Sequence, residues 1–371
     1  MTEGDELFPG ASKADGYNES VPPAHLRAVP ELPAEPLGER VTPGAGPSEP
    51  TVTATRGQSS ESLSASFRAD LEGLQNPKPE PPKKRLVGGK KAQRAYEAEV
   101  EAWERANRIA SMRRRLGGGR TVLVSNQKGG VAKTPTVICL ANALAEARQD
   151  GSIAAWEAAE ERGTLLNRVS GEPGYGLVRL LRNARELSQS RSVTELRGYG
   201  ARLETGAYVF GSPEDRDVFS GPDVETIHGL IQPAFDMTIV DSANMVRSEA
   251  FRTALELADA VVIPMTVNVD AVMKLFDTLN LFTEPDPLRK VPFRRDLYKR
   301  VTVVISHDSE DEPEGIVDKT KAALEVAKVP FVEIPFDKHI RQGLAIEWSK
   351  LQEPTREAYR RLGARVMESV A

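Results

Sequence analysis

From residue 120 onward the chain alternates between two kinds of hydrophobic pattern. Short, nearly unbroken apolar runs occur at 121–126 (TVLVSN), 152–156 (SIAAW), 236–241 (DMTIVD), 259–265 (DAVVIPM), 300–306 (RVTVVIS) and 330–335 (PFVEIP). Runs of this length, rich in Val and Ile, suit strands that are buried on both faces. Between them lie longer stretches of helical character, at 133–148, 222–232, 248–257, 269–283, 315–327 and 354–369. Strands alternating with helices through short connections predict an α/β fold, a doubly wound, mostly parallel sheet covered on both sides. Ligands of such sheets bind beyond the carboxyl ends of the strands. Two polar segments fall at that edge: SNQKGG after the first strand and DSAN after the third.

The pattern upstream is different. Residues 1–80 are rich in Pro, Gly, Ser, Glu and Ala, with too few large apolar side chains to offset the entropy of ordering, so a disordered tail is expected. Within it, Leu63, Phe67, Leu71 and Leu74 have helical spacing over 59–75, which fits either a transient helix or a peptide that docks on another protein. Residues 81–119 read as a basic helical linker to the domain at 120–371, with one helix over 90–115. Tyr96, Val100, Trp103 and Ile109 supply its apolar face, and cations flank it: Lys83, Lys84, Arg85, Lys90 and Lys91 before, Arg113, Arg114 and Arg115 after. A solvated helix, a contact with nucleic-acid phosphates and a contact with an anionic membrane surface all fit this pattern.

Charge sharpens that picture. The net charge of the 371 residues is only −5, yet 1–77 carries −7, 78–120 carries +8 and the remainder −6. One cysteine, Cys139, excludes an intramolecular disulfide and fits a reducing compartment; on a predicted helix it reads as a packed thiol. The chain has no apolar run approaching the roughly 18 residues of a membrane span, and its acidic start lacks the apolar stretch of a signal peptide. A cytoplasmic protein with no stable membrane insertion is expected.

The candidate chemistry centres on VSNQKGGVAKTPT, residues 124–136, a strand passing through glycines and a lysine into a helix. The general phosphate-loop pattern G-x-x-x-x-G-K-[ST] fails here, because its glycine positions fall on Gln127 and Ala132. Glycine turns before helices are often only structural. Lys128, Lys133 and Thr134 in the loop, with Asp241 ending a later strand, shift the reading to nucleotide binding. A carboxylate at Asp241 suits the water shell of Mg²⁺, which takes few direct protein ligands. Glu157, Glu160 and Glu161, after the second strand, fall near the same edge.

Read together, these segments resemble the ParA/MinD-type ATPases of the SIMIBI kind of P-loop fold. KGGVAKTPTVICLANALA resembles that family's deviant Walker A motif, usually KGGVGKTT. FDMTIVDSANMVRSEAFRTALELADAVVIPM resembles its Walker B segment, and VPFVEIPFDKHIRQGLAIEW its later strand, basic loop and helix. The likeness spans about 120–371 and is nearer to ParA-like partition ATPases than to MinD, since the C-terminal helix has an ordinary packing face of Tyr359, Leu362 and Val366.

The resemblance implies ATP and Mg²⁺ as ligands. Lys133 would contact the β- and γ-phosphates, Thr134 would ligate Mg²⁺ and Asp241 would hold its water shell. Gly129, Gly130, Val131, Ala132, Thr134 and Pro135 would cradle phosphate at a helix N-terminus, where the dipole favours anions. Lys128 would reach the partner's ATP in an ATP-promoted homodimer, and Glu160 would stand where the family has the aspartate that orients the attacking water. Lys338 and Arg341 match the region of the family's nonspecific DNA-binding cations, although surface charge pairs explain them equally. The function implied is DNA partitioning or cargo positioning at a bacterial nucleoid, with hydrolysis stimulated by a ParB-like partner. A non-hydrolysing nucleotide-binding scaffold and a MinD-like membrane-positioning ATPase are the alternatives. Two departures bear on turnover: Ala132 replaces a glycine, fitting with modest strain at negative φ and weakening binding at positive φ, and Pro135 removes an N–H that faces the α-phosphate in the family.

Overall fold

A computed structural model of the chain describes residues 80–83, 89–159, 162–213, 218–242, 244–285 and 290–371. The tail before residue 80 with its 59–75 segment, Lys84, Arg85, Glu160 and Glu161 lie outside the described residues.

Eight strands form one sheet: β1 (Arg120–Val124), β2 (Ile153–Ala158), β3 (Ala201–Arg202), β4 (Tyr208–Phe210), β5 (Met237–Ser242), β6 (Ala260–Thr266), β7 (Val301–Ser306) and β8 (Phe331–Ile334), in the order β3-β4-β2-β5-β1-β6-β7-β8. Every neighbouring pair is parallel except β3 with β4. Side chains alternate between two apolar layers, as the strand period requires. Leu123, Trp156, Val240 and Ile263 face one layer; Val122, Val124, Ala155, Ile239 and Val262 face the other. The predicted α/β class and all six predicted strands are observed, displaced by no more than two residues at either end.

The second layer is built around α2 (Lys133–Arg148), in which every residue from Thr136 to Ala145 is buried. Such a helix needs cover on its outer side as well as from the sheet. That cover comes from α1 (Lys90–Arg113) and from the C-terminal helix Glu353–Val370. The three helices meet at Gly363, where an added Cβ would lie 2.9 Å from Met112 Sδ and 3.3 Å from Leu144 Cδ2. Met112 is fully buried, while Tyr96, Val100, Trp103 and Ile109 are half-buried along the predicted apolar face of α1. The end of α1 is tied to the end of α2: Arg113 Nε donates to Ala147 O at 2.8 Å, and an Arg148 guanidinium N–H donates to Arg114 O at 2.9 Å.

The first layer contains the elements between β2 and β3 that the hydrophobic pattern did not predict: α3 (Gly176–Arg182), α4 (Ala184–Ser190) and α5 (Val193–Arg197). It continues with α6 (Gly221–Ile231), α7 (Glu249–Glu256), α8 (Val269–Thr283), the single turn α9 (Arg295–Tyr298) and α10 (Ile316–Val326). One further turn, α11 (Lys338–Arg341), follows β8, and the C-terminal helix is α12. Serine or asparagine caps start four of these: Ser192 on α5, Ser220 on α6, Ser248 on α7 and Asn268 on α8 each accept a backbone N–H of the first turn. Among the described residues, no helix is long and apolar enough to cross a membrane.

Candidate functional site

The loop between β1 and α2 is anchored at its second residue. Asn126 is fully buried; its Nδ2 donates to Pro264 O at 2.8 Å, and its Oδ1 accepts Lys128 N–H at 2.9 Å. Proline is tolerated at 264, inside a central strand, because the β1–β6 ladder ends at Val124 and Val262. The chain then turns through Gly130 at φ +73° and Ala132 at φ +63° before α2 begins at Lys133. An added Cβ at Gly130 would meet nothing within 4 Å, so the glycine is required by conformation rather than by crowding.

The sequence left the sign of φ at Ala132 open, and it is positive. An L-residue in this left-handed region carries a penalty of roughly 1–2 kcal/mol, partly offset because glycine has more freedom to lose on folding. Ala132→Gly is therefore expected to raise the unfolding midpoint of the free protein by about 1–2 °C, the shift that about 0.5 kcal/mol produces in a domain of this size. Scanning calorimetry reads it directly, and a lower midpoint would show that the methyl contributes packing that outweighs its backbone strain.

Pro135 occupies the third position of α2. The first-turn N–H groups of a helix have no intrahelical acceptor, so proline breaks no helical bond there. Its fixed φ suits the turn, but the cradle at this helix end has one donor fewer.

Lys133 folds back over the loop. Its Nζ donates to Lys128 O at 2.7 Å, to Asn126 O at 3.2 Å and to the side-chain oxygen of Asn244. Burial pushes its ammonium down to about 8, against the opposing pull of Asp241. Thr134 Oγ1 donates to Asp241 Oδ2 at 2.7 Å. Asp241, the penultimate residue of β5, is in register with Glu157 on β2, and both point to the α2 side of the sheet because their parity matches Ile239 and Ala155. Glu157 is buried, its Oε1 accepting Ser212 N–H at 3.0 Å. Burial raises the Asp241 carboxyl to about 6; the Thr134 hydrogen bond and the Lys133 charge lower it, and the Glu157 charge raises it further.

These groups line one side of a cleft of about 730 Å³ at the carboxyl edge of the sheet. His307 and Asp308, which follow β7, and Ile340 and Arg341 of α11 line the other side. The volume falls within the range of pockets that enclose most of a small ligand. The donor set also fits a divalent cation. A buried carboxylate with raised proton affinity lacks full charge compensation, and a hydroxyl lies hydrogen-bonded to it. Among the described residues no group of three or more His, Cys, Asp and Glu could hold a metal by itself. A hard cation that takes one or two protein oxygens and completes its shell with water and phosphate is the kind such a pair accepts.

The structure thus brings together Gly129, Gly130, Ala132, Lys133, Thr134, Pro135 and Asp241. Val131 is buried beneath the loop. Lys128 Nζ turns aside to Asn268 Oδ1 at 3.2 Å and Asp270 Oδ2 at 3.4 Å, at the start of α8. Two site residues have no precedent in the sequence motifs. Asn244 holds Lys133 from the loop after β5, and Asn126 holds the loop from below; only the polar run DSAN hinted at the first. The candidate DNA cations separate. Lys338 and Arg341 are exposed at the edge that carries the cleft, whereas Arg113, Arg114 and Arg115 are exposed at the opposite edge, beside the end of α2.

No family model and no curated protein matches this sequence. Solved structures do match. A ParA family ATPase from Chlorobium tepidum TLS superposes with a TM-score of 0.51 at 14% identity, over 66% of this chain and 98% of that one. The cell division ATPase MinD of Pyrococcus furiosus gives 0.47 at 19% identity, over 68% and 98%. Cobyrinic acid a,c-diamide synthase from Mycobacterium smegmatis, solved with an ATP analog and magnesium, gives 0.42 at 16% identity, over 66% and 93%. The first of these likenesses shows that the chain has the fold of the ParA/MinD ATPases.

Proposed function

We propose that the chain is a ParA-like ATPase that uses an ATP-promoted homodimer to bind DNA nonspecifically in partitioning or cargo positioning, with hydrolysis stimulated by a ParB-like partner. The observation that carries the reading is the arrangement at the start of α2. There Lys133, Thr134 and the buried Asp241 converge on a turn that opens with Lys128 and paired glycines. The likeness to the ParA family ATPase of Chlorobium tepidum supports this reading only as far as fold.

In this reading the Lys133 ammonium exchanges the oxygen of Asn244 for phosphate oxygens. Backbone N–H groups of Gly129, Gly130 and the first turn of α2 supply further donors in the field of the helix dipole. Mg²⁺, when bound, would neutralise phosphate charge. Thr134 Oγ1 and Asp241 are the residues that would hold it, Thr134 directly and Asp241 through its water shell. Lys128 must release Asn268 and Asp270 to reach a second copy's nucleotide, a weak restraint because the Asp270 side chain is 82% exposed. Glu160 is the residue proposed to orient the attacking water. Catalysis of this type works by positioning and electrostatics, so no covalent intermediate is required. The αL strain at Ala132 and the missing donor at Pro135 favour slow turnover over loss of binding.

The direct test is co-sedimentation with a DNA of arbitrary sequence. Binding is expected only when ATP and Mg²⁺ are both present, and it should weaken steeply with salt as counterions compete for phosphate. Equal binding without nucleotide, or none in any condition, would refute the partition reading.

A further inference from the structure

The segment from Tyr175 to Arg202 carries six arginines against two glutamates, in a chain whose net charge is −5. It holds α3, α4 and α5, short helices that the strand–helix pattern of the rest does not require. On α3, Leu177 and Leu180 are buried in the apolar layer shared with α6. Tyr175, Arg179 and Arg182, spaced at i, i+4 and i+7, form the outward stripe, and all three are exposed.

Two features separate this stripe from an ordinary solvated face. First, Tyr175 is 59% exposed yet held in place. Its ring meets Tyr199 edge-on with centroids 5.4 Å apart, the Arg179 guanidinium lies 5.8 Å from its centroid, and Asn183 Nδ2 donates to the Tyr199 hydroxyl at 2.9 Å. An aromatic ring fixed by neighbours while facing solvent offers contact area at little entropic cost. Second, among the described residues none of Arg179, Arg182, Arg185 and Arg191 has a carboxylate partner. Some exposed arginines elsewhere do pair, as Arg105 does with Glu101 and Arg365 with Glu368. Four uncompensated guanidiniums within thirteen residues therefore leave a local positive field on an acidic protein.

The position is set by the fold. Leu177 N–H donates to Gly211 O, just beyond β4, so α3 starts at the carboxyl edge of the sheet, the edge that carries the cleft. We infer that the Tyr175–Arg179–Arg182 stripe, with Arg185 beside it, is a contact surface for the phosphate backbone of duplex DNA. This rests on the proposed DNA-binding function and assigns it a surface on α3 beyond β4, a different segment from Lys338 and Arg341, whose turn α11 accepts a hydrogen bond from Arg168. Guanidiniums bind phosphate in a forked geometry, and a fixed tyrosine packs on the sugar or bonds a phosphate oxygen, so recognition is independent of sequence.

The test measures binding of a fluorescein-labelled 30-base-pair duplex by anisotropy, with ATP and Mg²⁺, across a salt series. Arg179→Ala with Arg182→Ala is expected to weaken binding at least tenfold and to lower the slope of log K against log[salt] by about 2, one counterion per lost cation. ATP binding, followed with a fluorescent analogue, should be unaltered in the same variant and so report an intact fold. Tyr175→Ala should weaken DNA binding with little change of slope. Unchanged affinity and slope in the double arginine variant, with the wild type binding DNA, would overturn the inference and leave the partition reading standing. Absence of DNA binding by the wild type would overturn both. Loss of binding to poly-glutamate in the double variant, without loss of DNA binding, would reassign the stripe to an acidic protein.

Discussion

Replacing Lys133 with alanine is expected to weaken ATP binding at least a hundredfold and to abolish phosphate release, while leaving the free protein as stable as before or more so. The two halves of this result have one cause. The ammonium is held in the cleft by Asn126 O, Lys128 O and the Asn244 side chain, and burial lowers its pKa from 10.5 to about 8. A lysine whose folded pKa is depressed binds its proton less tightly in the folded chain than in the unfolded one. Below pH 8 its charge therefore opposes folding in full, and the opposition fades between pH 8 and 10.5. At neutral pH the alanine variant sheds that desolvation cost but forfeits charged hydrogen bonds to phosphate, each worth roughly 1.5–3 kcal/mol. Calorimetric titration with ATP and Mg²⁺ measures one half, and thermal unfolding without ligand the other. Near-normal ATP affinity in a folded variant would show that the cleft is not a phosphate site.

Pro135→Ala is expected to act in the opposite direction. It restores an N–H at the third position of α2, on the cleft side. If that donor reaches phosphate, nucleotide affinity rises about ten- to a hundredfold, the equivalent of one hydrogen bond to a charged group. The same change should lower the stability of the free protein by about 0.4–1 kcal/mol, because alanine restores conformational freedom to the unfolded chain. Tighter binding from a less stable protein is hard to mimic by a general effect on folding. An unchanged dissociation constant would show that proline at this position does not deprive the ligand of a donor.

Much of the sheet was readable in the hydrophobic pattern because its strands are buried on both faces and so appear as unbroken Val/Ile runs. Helix α2 was predicted to its last residue, 133–148, since glycines precede it and polar residues follow it. The β3–β4 hairpin escaped for an opposite reason. Two and three residues at the sheet's margin, Ala201–Arg202 and Tyr208–Phe210, are too few to establish a period. The short helices α3, α4 and α5, of seven, seven and five residues, are likewise too brief for helical periodicity to stand out. At the site, Lys133, Thr134 and Asp241 were legible as residue types at motif spacing. The Asn244 contact to Lys133 was not, because 111 residues of chain separate them.

The sequence by itself determined the fold class, the order of the six long strands and the helices between most of them, and the loop and aspartate that the sheet's carboxyl edge would have to present. These follow from local periodicity and from the rule that parallel strands all present their carboxyl ends, where ligands bind, at one edge. Only the tertiary structure decided what those residues do to each other. The left-handed φ of Ala132, the two tethers of Lys128 and the raised proton affinity of Asp241 depend on what β6, α8 and β2 bring against the loop. The separation of Arg113–Arg115 from Lys338 and Arg341 has the same origin, since α2 runs from one edge of the sheet to the other. Backbone strain, electrostatic coupling and the shape of a charged surface fall off over a few ångströms of space, and separation along the chain does not reveal which residues lie that close.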